Sequence, residues 1–150
     1  MDNHFQQVWG RVTASGTDAP AEDLDRFADE EQQAAEEYAQ LARNTRSAEA
    51  KRLFQRLSGE EREHSRRLRA MAYLLQGNRK PPKAEKKPVS GERTLQALRR
   101  RYAAEQESAE AYSRAAEKTK DERLRGLYQA LAQDERRHGK ALLALLQKHW

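Results

Sequence analysis

Residues 61–64 read Glu-Arg-Glu-His, and residues 135–138, 74 positions further on, read Glu-Arg-Arg-His. The same offset relates Glu31 to Glu105 and Tyr38 to Tyr112. Each copy therefore holds a Glu, a Tyr seven residues later, and a Glu-x-x-His that begins thirty residues after the first Glu. Around these residues the apolar positions have helical spacing. Leu24, Phe27, Glu31, Ala34, Tyr38 and Leu41 follow in alternating steps of three and four, which puts them on one stripe of a helix. Three further stripes have the same form: Phe54, Leu57, Glu61, His64, Leu68, Met71, Leu75; Leu95, Leu98, Tyr102, Glu105, Ala109, Tyr112, Ala116; and Leu124, Tyr128, Leu131, Glu135, His138, Leu142, Leu145. Each stripe is apolar except at its middle, where it carries a carboxylate and, in two of the four, a His one turn on.

The turns fit two antiparallel helical hairpins. The first helix is expected to begin near Pro20, whose ring suits a first helical position, with Glu22, Asp23 and Asp25 at the positive end of the helix dipole. Asn44 to Ser47 separates helices one and two. Thr119 to Asp121 separates helices three and four, and Thr119-Lys120-Asp121-Glu122 has the form of a capping box. Glu31 and Glu61 are equally distant from residue 46, and Glu105 and Glu135 from residue 120. Fifteen residues at 1.5 Å each set both carboxylates of a hairpin about 22 Å from its turn, hence at one height. The predicted organisation is an arm over residues 1–19, a hairpin over 20–76, a linker over 77–91 and a second hairpin over 92–149. Val8, Trp9 and Val12 of the arm are candidates to tuck against the bundle. The linker is too long for a minimal turn. Extended, it reaches about 45 Å, the length of a roughly 30-residue helix. It can cross the full height of a bundle, or let a hairpin pair with one from a second chain.

Composition limits the function classes. The chain has 150 residues, 35% charged and 37% hydrophobic, with few Gly and Pro, which is the profile of one all-α domain built from long amphipathic helices. The absence of Cys excludes disulfides, Cys-zinc sites and a Cys-based electron-transfer module. The longest apolar run, Ala141 to Leu146, is too short to span a bilayer. The start of the chain lacks the basic-then-apolar order of a signal peptide, so a cytoplasmic protein is expected, with no membrane partner. The net charge of +5 is concentrated in Arg79, Lys80, Lys83, Lys86 and Lys87. No aromatic residues interleave with them, which favours a solvated loop over a nucleic-acid surface.

A lone Glu-x-x-His is weak evidence in a Glu-rich sequence. The set carries the argument. Glu31, Glu61, His64, Glu105, Glu135 and His138 all fall where the stripes predict core. Four buried carboxylates without partners are prohibitively costly, and no Arg or Lys falls at the central positions of the stripes beside them. Two divalent cations balance four Glu charges, and the two His add neutral nitrogen donors. A set of carboxylate oxygen and imidazole nitrogen without sulfur suits iron or manganese, with zinc next in order. A Glu from each of two helices and a Glu-x-x-His from each of the other two is a di-metal ligand set for a four-helix bundle. By symmetry Glu61 and Glu135 are expected to bridge the ions, with Glu31 and Glu105 as terminal or chelating ligands. Tyr38 and Tyr112 are either plain core aromatics or phenols that reach back along their helices to orient a ligand carboxylate. Glu60 and Asp134, also 74 residues apart, are either solvent-facing acids or acceptors for the ligand His of the opposite hairpin. His4 and His149 lie outside the layer and are not expected to be ligands.

At these residues the chain resembles the ferritin-like superfamily, and within it the rubrerythrins and bacterioferritins. The likeness covers residues 20 to 149 and rests on the paired Glu-x6-Tyr and Glu-x-x-His elements in order. It implies a ferritin-like four-helix bundle whose hairpins are joined by a crossover linker. It also implies a cofactor of two iron ions that reacts with hydrogen peroxide or dioxygen. Rubrerythrins usually carry a further carboxylate three residues after the third-helix Glu, where this chain has Ser108. They often append a Cys-rich rubredoxin module, which is absent, so an external electron donor is expected. The six-ligand set is similar to that of bacterioferritin. Yet Arg62 and Glu63 stand where a haem-ligating Met is expected, and the sequence stops after helix four, so neither a haem nor a large cage is expected. The resemblance thus implies a di-iron peroxidase or ferroxidase. A homodimer is expected, in which hairpin exchange through the long linker is one arrangement. Alternatives are a non-catalytic iron-binding or delivery protein and a metal-stabilised helical interaction module.

Overall fold

The computed structural model describes residues 20–77, 83–89 and 93–149. The arm over 1–19 with Val8, Trp9 and Val12, His4, and the linker positions 78–82 and 90–92 lie outside the described residues. Among the described residues four helices make up the fold: α1 (Pro20–Asn44), α2 (Ala48–Gln76), α3 (Thr94–Lys118) and α4 (Glu122–His149).

The helix ends follow from local chemistry. Pro20 is the first helical residue of α1, with Glu22 and Asp23 in the first turn and Arg43 in the last, matching the helix dipole at both ends. Ser47 caps α2, its hydroxyl accepting a hydrogen bond from the Ala50 amide at 3.1 Å. Gly77 closes α2 with a φ of 64°, a left-handed conformation that favours glycine, and its amide donates to the Tyr73 carbonyl. The expected capping box at Thr119 does not form. Asp121 is the cap instead, its carboxylate accepting from the amides of Arg123 at 2.8 Å and Leu124 at 3.2 Å. Thr119 closes α3, its amide donating to the Ala115 carbonyl. A carboxylate one residue before the helix reaches the free amides of the first turn more directly than a hydroxyl three residues back.

Side-chain contacts give the direction of every helix. Ser58 and Ser65 of α2, seven residues apart and buried, donate from their hydroxyls to the carbonyls of Ala35 and Ala28 on α1, each at 2.8 Å. The reversed order makes α1 and α2 antiparallel, and the small residues let the helices approach closely. Between hairpins, the Tyr38 hydroxyl reaches Glu105 and the Tyr112 hydroxyl reaches Glu31, so α1 and α3 are antiparallel. His64 meets Asp134 and His138 meets Glu60, so α2 and α4 are antiparallel too. Consequently α2 and α3 run the same way, and the linker between them must cross the height of the bundle. Its described middle lies against the middle of α1, where the Gln33 side chain donates to the Lys87 carbonyl at 3.2 Å. The fold is therefore the ferritin-like bundle with one crossover connection, and the two hairpins of one chain close on each other.

The interior has three levels. One apolar cluster gathers Leu24, Phe27, Leu68, Leu124, Tyr128 and Leu131. The other gathers Leu41, Phe54, Leu57, Leu98, Leu142 and Leu145. Between them lies a layer of Glu31, Glu61, His64, Glu105, Glu135 and His138, each no more than 4% exposed. Apolar residues above and below thus exclude water from charged groups at mid-height. Phe54 is fully buried and stacks 6.4 Å from Tyr38. Phe54→Ala is expected to cost about 3–5 kcal/mol in urea unfolding of the metal-free protein, from lost transfer energy and the cavity left behind.

Candidate metal centre

Each Glu-x-x-His lies on a single helix face, because residues three apart are neighbours there. α2 supplies Glu61 and His64, α4 supplies Glu135 and His138, and α1 and α3 supply Glu31 and Glu105. The antiparallel hairpins bring all six to one level. Their donor atoms form two overlapping groups: Glu31, Glu61, His64 and Glu135, and Glu61, Glu105, Glu135 and His138. Within each group the atoms lie within 4.8 Å of one another. Glu61 and Glu135 belong to both, which is the position of bridging carboxylates.

The centre has a local two-fold character. The imidazoles of His64 and His138 stack 5.6 Å apart at 14°. The Nδ1 atom of His138 is 2.6 Å from Glu61 Oε1, and that of His64 is 3.0 Å from Glu135 Oε1. Despite these short separations the atoms are out of line for hydrogen bonds, and both nitrogens and both oxygens are buried without a hydrogen-bond partner among the described residues. So are Glu31 Oε2, Glu61 Oε2 and Glu105 Oε2. Burying even one such atom costs about 1–3 kcal/mol. Seven converging on a common centre are the donor set that a pair of cations satisfies, with the N and O chemistry of iron, manganese or zinc.

A surrounding shell fixes these groups. The phenols of Tyr38 and Tyr112 donate to Glu105 Oε1 and Glu31 Oε1, both at 2.5 Å, a length normal for a hydroxyl on a charged carboxylate. Burial raises both phenols well above their ordinary pKa, with the nearby carboxylates adding to it, so they stay protonated donors. Outside the layer, His64 Nε2 is 2.9 Å from Asp134 and His138 Nε2 is 3.1 Å from Glu60. Each of these acids lies on the opposite hairpin, as the second of the two sequence readings has it. An acid on Nε2 holds that nitrogen protonated and leaves Nδ1, which faces the centre, as a lone-pair donor. Asp134→Asn is expected to lower manganese(II) affinity by about 10- to 100-fold in equilibrium dialysis, with the helical content unchanged. His149 lies apart from the layer, against Glu49 at 3.3 Å.

The four carboxyls divide into unlike pairs. Burial pushes Glu61 and Glu135 well above the ordinary glutamate value, and Glu31 and Glu105 push the same way. Burial also acts against charge on Glu31, but contacts with Glu61, His64 and Tyr112 outweigh it and hold this carboxyl below its ordinary value. For Glu105 burial is likewise outweighed, by Glu135, His138 and the Arg101 guanidinium, and the carboxyl lies far below the usual range. Each hairpin thus pairs one carboxyl held below its ordinary value with one pushed above it.

The stripes carry no Arg or Lys at their centres, yet Arg101, just off the third stripe, brings a basic side chain to the layer. It is 7% exposed, and its Nη2 donates to Glu105 Oε1 at 3.0 Å. Its Nη1 donates to Glu37 at 3.0 Å, and its guanidinium lies 4.9 Å from the centre of the Tyr38 ring. Burial disfavours its charge, yet Tyr38, Glu105 and Glu37 outweigh that and the group remains a permanent cation. One turn before Glu105 on α3, it shares that residue's face. The signal that could have found it is the 74-residue offset, which aligns Arg101 with the core residue Phe27.

A groove of about 910 Å³ between α1 and α3 leads to the layer. Glu31, Glu61 and Arg101 line its buried end, Ala104 and Ser108 line its wall, and Lys87 of the linker lies at its rim.

A family model described as rubrerythrin matches residues 22–146, and so takes in most of the four described helices and every residue of the centre. The chain belongs to the rubrerythrin family. No curated protein and no solved structure matches it. As in other rubrerythrins, the layer is a di-metal carboxylate arrangement in a ferritin-like bundle, able to hold metal through buried Glu and His. No described helix is long and apolar enough to cross a membrane.

Proposed function

We propose that this rubrerythrin is a di-iron oxidoreductase that oxidises a ferrous pair with hydrogen peroxide or dioxygen. The observation that carries the reading is the convergence of seven unpartnered donor atoms from six buried residues at one level of the core. Glu31 and His64 would hold one ion and Glu105 and His138 the other, with Glu61 and Glu135 shared between the two donor groups. A ferrous pair held there would supply the two electrons that, with two protons, reduce hydrogen peroxide to two waters, the pair becoming ferric. The protein contributes positioning. Tyr38 and Tyr112 hold the terminal carboxylates, while Asp134 and Glu60 aim the two imidazoles inward. The groove gives a small oxidant access, and the apolar clusters on either side keep bulk water from the layer. Return of the site to its ferrous form needs a reductant other than a Cys-based module of these 150 residues, which contain no Cys.

One observation favours a second reading, iron binding and delivery without turnover. Ser108 lines the groove where the family resemblance calls for a carboxylate, and a neutral hydroxyl is a poor ligand for a ferric ion. Rapid mixing separates the two. Protein loaded with ferrous iron under anaerobic conditions is expected to develop ferric absorbance on mixing with peroxide, consuming about one peroxide per two irons. Iron that is bound but reacts no faster than free ferrous ion contradicts the oxidoreductase and supports the carrier.

A further inference from the structure

The 74-residue offset that relates the two halves of the centre does not hold at Arg101. Opposite Arg101 it places Phe27, and opposite Glu37 it places Ala111. In one half the Phe27 ring lies 4.8 Å from the ring of Tyr112, so the phenol that holds Glu31 rests on hydrocarbon. In the other half a guanidinium lies against Tyr38, and the two groups donate together to Glu105 Oε1, at 3.0 Å and 2.5 Å.

Two consequences follow for a cation in this layer. A carboxylate oxygen has about two acceptor positions. Arg101 and Tyr38 fill those of Glu105 Oε1, which leaves Oε2 alone to face the centre. Glu31 Oε1 accepts only the Tyr112 hydroxyl among the described hydrogen bonds, so Glu31 keeps capacity on both oxygens. The second consequence is charge. Arg101 partly neutralises Glu105 and repels a cation beside it. Glu37 cancels only part of this, because it also binds the Arg100 guanidinium through both oxygens at 3.1 Å.

We infer that the two metal positions fill in sequence, the one bounded by Glu31 and His64 first and the one bounded by Glu105 and His138 second, and that Arg101 sets the difference. This rests on the di-metal reading above. Arg101 is a positioning residue that acts through Glu105. The centre thus has one retained ion and one exchangeable ion, the exchangeable one on the side where the guanidinium lies.

Titration of the metal-free full chain with manganese(II) tests this, with affinities from calorimetry and the one-ion state read by electron paramagnetic resonance. The wild type is expected to bind two ions in resolved steps about ten-fold or more apart. Arg101→Met is expected to tighten the second step about ten-fold and leave the first in place, whereas Arg101→Lys keeps two separated steps. Glu105→Gln is expected to remove the weak step and retain the mononuclear signal at one equivalent. Glu31→Gln is expected to remove the tight step. These two variants carry the test if Arg101→Met fails to fold. Two ions bound with equal affinity, or a first ion lost in Glu105→Gln and kept in Glu31→Gln, overturns the order of filling but leaves the di-metal reading intact. No binding of any ion overturns both.

Discussion

Replacing Glu61 with methionine is expected to abolish tight binding of both ions and, at the same time, to stabilise the metal-free fold. Glu61 belongs to both donor groups, so its loss affects each ion, with an affinity decrease on the order of 100-fold or more. Its effect on the empty bundle has the opposite sign. Glu61 is 1% exposed, both of its oxygens lack hydrogen-bond partners, and three other acids share the layer. An unbranched apolar side chain of similar length removes the desolvation penalty and fills the volume. Replacement of a buried carboxyl that lacks hydrogen-bond partners by a packed apolar side chain is neutral or stabilising by about 1–4 kcal/mol. Urea unfolding with a chelator present measures the gain, and metal content after dialysis measures the loss. A destabilised metal-free variant that still holds two ions would mean that Glu61 is a structural acid and not a ligand.

The metal-free protein is expected to melt at progressively lower temperature as the pH rises from about 5 to about 8, and saturating manganese(II) is expected to reverse the trend. Glu61 and Glu135 have folded-state pKa values well above the ordinary 4.5, so in this window the native state holds protons that the unfolded chain has released. Stability then falls as pH rises, because the folded state binds more protons than the unfolded one. Each unit of elevation is worth about 1.4 kcal/mol per group. Glu31 and Glu105 lie below the ordinary value and are ionised in both states across the window. Their contribution stays constant there and is lost only as the pH falls through the carboxylate range. Metal binds the deprotonated carboxylates and displaces the protons, so its affinity and its stabilisation grow with pH. A metal-free melting temperature that rises across this window would show that Glu61 and Glu135 are not held protonated.

The ligand residues were legible in the sequence because a charged residue in the middle of an apolar stripe conflicts with the helix around it, and only the core chemistry resolves the conflict. The stripes themselves predicted the interior closely. Leu24, Phe54, Leu68, Leu98 and Leu142 are all fully buried. Equal distances from the two turns gave the common height of the layer. The sequence left open whether Tyr38 and Tyr112 touch ligands at all. Each phenol contacts a carboxylate on the other hairpin, and that contact depends on how α1 and α3 cross, which no local spacing encodes. Arg101 was missed for a different reason. A guanidinium is ordinarily a surface group, and its place in the layer is made tolerable by Glu37, Glu105 and the Tyr38 ring, partners from two helices. The cap of α4 was misplaced because two overlapping signals, Thr119 and Asp121, compete within three residues.

Iron content per chain most directly tests the claim that buried acids and imidazoles are held together by a pair of cations. Full-length protein, reconstituted anaerobically with ferrous iron and passed through a desalting column, is expected to retain about two irons per chain by elemental analysis, with the count collapsing in Glu61→Met and Glu135→Met. Retention of less than one iron by the wild type, or an unchanged count in both variants, would contradict the account.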